Sequence, residues 1–162
     1  MRRRPHISLI RLTYDRSMAR LAAVVALALT LPAVAGAATY GAFKTPSRNI
    51  VCGWTIDDYG VASMECGVKS GLKPPPKRIR CQAGDPNDKR VSLRSRGPAV
   101  PVLCAGDPGP LLPQIERKAR VLAYGTRTSF GGITCTSRAT GLTCRNRDRH
   151  GFFLSRQSWR TF

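Results

Sequence analysis

Histidine and acidic side chains are scarce here, and that scarcity narrows the chemistry before any motif is considered. The chain has two histidines, His6 and His150, and nine Asp and Glu against 27 Lys and Arg. So little imidazole cannot build a multi-histidine zinc site, and a serine or cysteine nucleophile would have to rely on His150 alone as its base. No motif points to such a pairing. No catalytic residue, metal site or small-molecule cofactor is therefore expected. Cysteine is absent from the apolar N-terminal stretch and first appears at Cys52, which leaves no cysteine at a cut site to carry a lipid anchor.

Long apolar runs are scarce too, and the one present reads as a targeting segment. Arg20 precedes the uncharged residues 21–31, followed by Pro32 and then Ala33-Val-Ala-Gly-Ala-Ala38. A basic flank, an apolar core and a small-residue exit are the three parts of a secretory signal peptide. A membrane span would need a longer run, free of the Pro32 and Gly36 breaks. Residues 1–37 are expected to be the signal peptide, cut after Ala37 or Ala38. Residues 1–17 read as a misassigned start, because Met18-Ala-Arg20 already supplies an initiator and a basic flank. What remains, 38–162, is expected to be a single secreted, disulfide-rich β domain.

That remainder carries 21 of the 27 basic and 8 of the 9 acidic residues, a net charge of +13. A surplus of this size attracts polyanions at long range. Its six cysteines, in an exported chain, imply three disulfides. Periodicity narrows the pairing. Ile50, Cys52, Trp54 and Ile56 occupy alternate positions, as do Ala62, Met64, Cys66 and Val68, so both segments read as half-buried strands. Folding them about Asp58-Tyr59-Gly60 gives antiparallel pairs with a constant index sum of 118. Every apolar side chain then shares one face, and a one-residue slip would disperse that face. Cys52 opposes Cys66 in this register.

Residues 132–137 and 141–145 repeat the device around Arg138-Ala-Thr-Gly141, opposing Cys135 to Cys144, with Gly141 expected at a left-handed turn position. An Ile stands two residues before the first cysteine of each hairpin, and Met or Leu two before the second, which suggests a duplicated unit. Cys81 and Cys104 pair by elimination, closing a small meander through Val91-Ser-Leu93 and Val100-Pro-Val-Leu103. Pro98 and Pro101 imply an edge position there. Residues 113–119 predict a short helix, and residues 121–124 and 151–154 further strands. The fold class is therefore all-β, a small disulfide-stapled antiparallel sandwich or barrel.

Phe43-Lys-Thr-Pro-Ser-Arg-Asn-Ile-Val-Cys52, Leu122-Ala-Tyr-Gly125, Ile133-Thr-Cys135, Gly141-Leu-Thr-Cys144 and His150-Gly-Phe-Phe-Leu-Ser-Arg156 together resemble a family of small secreted actinobacterial proteins of unknown function. In that family's pattern a Gly is expected where this chain has Arg48. The resemblance implies export and fold, and carries no activity.

Two basic segments are the candidate anion-binding residues. Lys77, Arg78 and Arg80 follow Lys73-Pro-Pro-Pro, a composition that predicts stiff polyproline II, and Arg145, Arg147, Arg149 and His150 form a basic connection. Trp54 belongs to the core face by register, and Trp159 and Phe162 are expected to seal the core. The leading functional expectation is a non-catalytic secreted binding protein with a basic surface for an anionic wall polymer or membrane surface; nucleic acid is a less favoured partner. The rival readings are a hydrolase using the turn carboxylates Asp85 and Asp107, and an inhibitor or effector of other proteins.

Overall fold

The computed structural model describes residues 37–162; of the expected signal peptide, only Ala37 falls within them. The elements run β1 (Thr39–Lys44), β2 (Ile50–Ile56), β3 (Ala62–Val68), β4 (Asp85–Pro86), β5 (Arg90–Arg94), β6 (Val100–Pro101) and β7 (Cys104–Ala105). A 3-10 turn η1 (Gly109–Leu111) and a helix α1 (Pro113–Lys118) follow, then β8 (Arg120–Val121), β9 (Arg127–Phe130), β10 (Ile133–Arg138), β11 (Gly141–Arg145), β12 (Gly151–Leu154) and β13 (Trp159–Thr161). The fold is all-β. One sheet has six strands in the order β6-β5-β3-β2-β1-β8, a second is the five-stranded meander β13-β12-β11-β10-β9, and β4 pairs with β7 alone.

The two large sheets form a sandwich around one core, to which both contribute buried side chains. Strands β2 and β3 pair with the expected index sum, Cys52 opposite Cys66 and Trp54 opposite Met64. Cys135 opposes Cys144 in β10 and β11. Disulfides join Cys52 to Cys66, Cys81 to Cys104 and Cys135 to Cys144. Between the sheets the Trp54 and Phe130 rings stack at 4.8 Å and 12°, an offset-compatible spacing that adds to area burial. Met64 and Cys135 bring their sulfurs within 3.7 Å.

Several elements differ from their expected form. Val91 and Leu93 do not stay in a separate meander: β5 joins the first hairpin by pairing with β3, because both side chains then enter the shared core fully buried. Strand β6, with Pro101, lies at one edge of the six-stranded sheet, as the proline implied. Strand β8 stops at Val121 and runs parallel to β1, since Leu122 turns into the core. Gly141 does take a positive φ, +150°, and it serves packing as well: a Cβ there would meet the Leu154 carbonyl at 2.5 Å, so the glycine also admits a neighbouring strand. Phe162 leaves the core and lies outside β11 under Arg145. Trp159 does pack against the core and donates its indole N–H to the Pro74 carbonyl at 2.7 Å.

Helix α1 begins at Pro113, where a missing N–H costs nothing, and ends with Arg117 and Lys118 in its last turn, as the helix dipole favours. It is fastened by Lys44, whose ammonium donates to the Glu116 carbonyl at 2.7 Å, and by the Lys69–Glu116 ion pair. Lys69 holds the Glu116 carboxyl below its ordinary range. With η1, the helix roofs part of the outer face of the six-stranded sheet. Gly67 makes room for η1: a Cβ there would fall 2.5 Å from Leu111.

Candidate functional site

The basic residues singled out in the sequence land on separate elements. Lys77, Arg78 and Arg80 are exposed on the connection from β3 to β4, which forms neither helix nor strand; its Lys73–Pro74 peptide is cis. The 145–150 segment divides. Arg145 points outward from β11. Arg147 packs across Gly132, leaving no room there for a Cβ. Arg149, at φ +68°, forms the turn, and His150 follows it, exposed. The polar residues between them act as a latch. Buried Asn146 donates to the Arg94 carbonyl at 3.0 Å and the Gly97 carbonyl at 2.7 Å. Asp148 accepts from the Gly97 N–H at 2.9 Å and from Arg96 at 3.0 Å. This connection therefore holds the β5–β6 turn, tying one sheet to the other.

Strand pairing builds a basic surface that the sequence leaves scattered. The alternation that turns Ile133, Cys135, Leu142 and Cys144 inward turns Thr134, Thr136, Thr143 and Arg145 outward. None of the five strands of this sheet contains Asp or Glu. Arg138, Arg145 and Arg160 line an outer groove of about 410 Å³ with Phe153 and the threonines. Two of these guanidiniums rest on rings: Arg145 lies 5.0 Å from the Phe162 centroid and Arg160 4.9 Å from that of Phe153. Such contacts, worth about 0.5–1 kcal/mol when exposed, fix the direction of an otherwise mobile cation. The groove can therefore offer several oriented N–H donors to carboxylate, phosphate or sulfate groups.

The opposite face of the sandwich carries a larger groove of about 680 Å³ on the six-stranded sheet. Its floor is small: Ala42, Gly53, Ser63 and Ser92 face outward. Pro110 and Ile115, from η1 and α1, form one wall. Glu65, opposite Gly53 on β2 and Ser92 on β5, also stands on the floor; it pairs with the buried Arg90 at 2.8 Å, which also meets Asp107 at 3.1 Å. Burial raises the Glu65 carboxyl above the ordinary carboxylate range; Arg90 opposes that shift and Asp107 adds to it.

A family model described as "Family of unknown function (DUF6636)" matches residues 23–162. The chain belongs to that family. No curated protein and no solved structure matches it.

In this DUF6636 protein the turn carboxylates border one groove. Strands β4 and β7 pair Asp85 with Ala105, and Asp85 and Asp107 line a common groove of about 470 Å³. Asp107 is already committed, however: it pairs with Arg90 and accepts the Gly109 N–H. Among the described residues no group of three or more His, Cys, Asp or Glu is placed to hold a metal. Nor is any helix among them long and apolar enough to cross a membrane. The three disulfides fit an oxidising compartment.

Proposed function

We propose that this is a secreted, non-catalytic binding protein whose five-stranded sheet presents its outer face to an anionic polymer outside the cell, a wall polymer being the favoured class. The observation that carries this reading is the acid-free sheet face on which Arg138, Arg145 and Arg160 share one groove, two of them seated on aromatic rings. Export is supported by the signal-like N-terminus, the three disulfides and the resemblance to small secreted actinobacterial proteins. An open face suits an extended polymer, whose repeated charges engage several strands at once and release counterions as they dock.

The test compares two variants of equal charge. Replacing Arg138, Arg145 and Arg160 with Gln should weaken binding to poly(glycerol phosphate) and reduce its salt dependence. The same replacement at Lys77, Arg78 and Arg80 should change it much less. Equal losses would mean that the +13 charge acts as a diffuse field and that the face is not a site. Preferential binding to anionic vesicles would point instead to a membrane surface. The hydrolase reading has one observation in its favour, the shared groove of Asp85 and Asp107. It requires that Asp85→Asn abolish glycan hydrolysis by the purified protein.

A further inference from the structure

We infer that the groove on the six-stranded sheet is a second binding site, specific for a monomeric single-chain amphiphile with an anionic head, such as a fatty carboxylate. Its volume of about 680 Å³ falls within the range of roughly 300–1,000 Å³ that holds small organic ligands. The groove crosses β5, β3, β2 and β1, so strand spacing alone makes it about 14 Å across. This shape suits an extended chain.

The chemistry of the floor selects an apolar body. Sheet backbone is hydrogen-bonded within the sheet, and the floor hydroxyls of Thr55 and Ser63 bond each other at 2.9 Å. The sheet backbone and the Thr55–Ser63 pair are thus satisfied before a ligand arrives, which leaves Ser92 and Glu65 as the remaining polar side chains of the floor, and a polar ligand laid over the rest would lose water without full compensation. Gly53 lets the chain approach the backbone closely, the kind of place where a strand-interior glycine is found. Pro110 and Ile115 give the wall carbon surface. Tyr40, 84% exposed on β1, extends that surface at the outer end.

Charge then fixes the direction of the ligand. Lys118 and Arg120 line the outer end, and neither makes an ion pair among the described residues, where Glu116 is engaged by Lys69. Glu65 stands farther in, on β3 opposite Gly53, with Arg90 and Asp107 behind it. An anionic head is drawn to Lys118 and Arg120 and repelled from Glu65, so the chain runs inward over Gly53 toward Pro110. This site is on the other sheet from the polymer face and stands or falls independently of it.

The test is calorimetric titration of the oxidised protein with dodecanoate below its micelle concentration, with dodecyltrimethylammonium as the charge-reversed probe. One dodecanoate should bind per chain, at least about tenfold tighter than the cation. The double variant Lys118→Glu with Arg120→Glu, exposed and harmless to folding, should lose at least about tenfold in dodecanoate affinity. Gly53→Leu should abolish binding while the protein keeps its melting transition. The triple replacement of Arg138, Arg145 and Arg160 should leave dodecanoate binding unchanged. Equal affinity for the two probes, indifference to the charge-reversed variant, loss in the triple variant, or uptake only of anionic vesicles would each overturn the inference. The charge-reversed variant decides the matter even if Gly53→Leu misfolds.

Discussion

Strands β1, β2, β3 and β5 and strands β9, β10, β11 and β12 follow the same scheme. In each, the two central strands are joined by a disulfide facing the core, and a neighbour lies to either side: Phe43 and Val91 flank Cys52 and Cys66, while Thr128 and Phe152 flank Cys135 and Cys144. Ile50, Met64, Ile133 and Leu142 are buried at matching offsets from those cysteines. The outer faces share nothing comparable. One is roofed by η1 and α1 and floored with Gly, Ala and Ser; the other is open, hydroxyl-bearing and cationic. Packing constrains the inner faces of both halves alike, leaving the outer faces free to take up different chemistry, and both candidate sites lie there.

The largest expected effects test whether the two halves share one core. Phe152 and Leu93, one from each sheet, are buried to within 1%. Phe152→Ala should cost about 3–5 kcal/mol and Leu93→Ala about 2–5 kcal/mol. Both should shift a single denaturant transition seen by every probe; two separable transitions would show that the sheets fold as independent units. A smaller effect probes the equivalence of the staples. Replacing Cys52 and Cys66, or Cys135 and Cys144, with Ala pairs should cost roughly 2–4 kcal/mol each. Their sequence separations, 14 and 9, make the chain-entropy terms differ by only about 0.4 kcal/mol. A much larger disparity in urea melts would mean that the two hairpins are not equivalent.

The latch comes next, since it is what the second half contributes to the first. Asn146→Ala leaves the Arg94 and Gly97 carbonyls without their donor, at about 1–3 kcal/mol. Arg149→Ala, in the same connection but exposed, should stay within about 0.5 kcal/mol. Equal losses would return the segment to the simple basic loop that its composition suggests.

The two disulfide hairpins were legible because alternation, cysteine spacing and turn residues all pointed to one register. Strands β1, β9 and β13 were not. In β1 the inward position 41 is glycine, because the Trp54 ring fills the space a side chain would take, so the alternation is broken by the packing itself. The other two run four and three residues, too short to show a period. The arginine face was illegible for a different reason: positions 138, 145 and 160 come to line one groove only through pairing across β10 to β13, whereas composition drew attention to runs such as 145–150, whose members point in different directions. The groove had one available signal, the strand-interior Gly53 and Gly67, which mark close approach from above.

The smallest effect concerns how each half turns into its disulfide hairpin. Between β9 and β10 the chain uses Gly131 and Gly132, both at positive φ, and Gly131 lies against Ala62 of the other sheet with no room for a Cβ. Between β1 and β2 the turn is closed by the Arg48 N–H donating to the Thr45 carbonyl at 2.9 Å, and Arg48 itself takes φ +56°. A residue with a Cβ pays about 1–2 kcal/mol for that conformation, whereas glycine adopts it freely but loses more chain entropy on folding, roughly 0.5–1 kcal/mol. Arg48→Gly should therefore stabilise the protein by up to about 1 kcal/mol, read as a higher urea midpoint at unchanged slope. Gly131→Ala should do the reverse, because strain and the collision with Ala62 act together. If Arg48→Gly instead destabilised the protein, the Arg48 side chain would have to contribute more than its backbone costs, and the two turns would differ in kind as well as in residue.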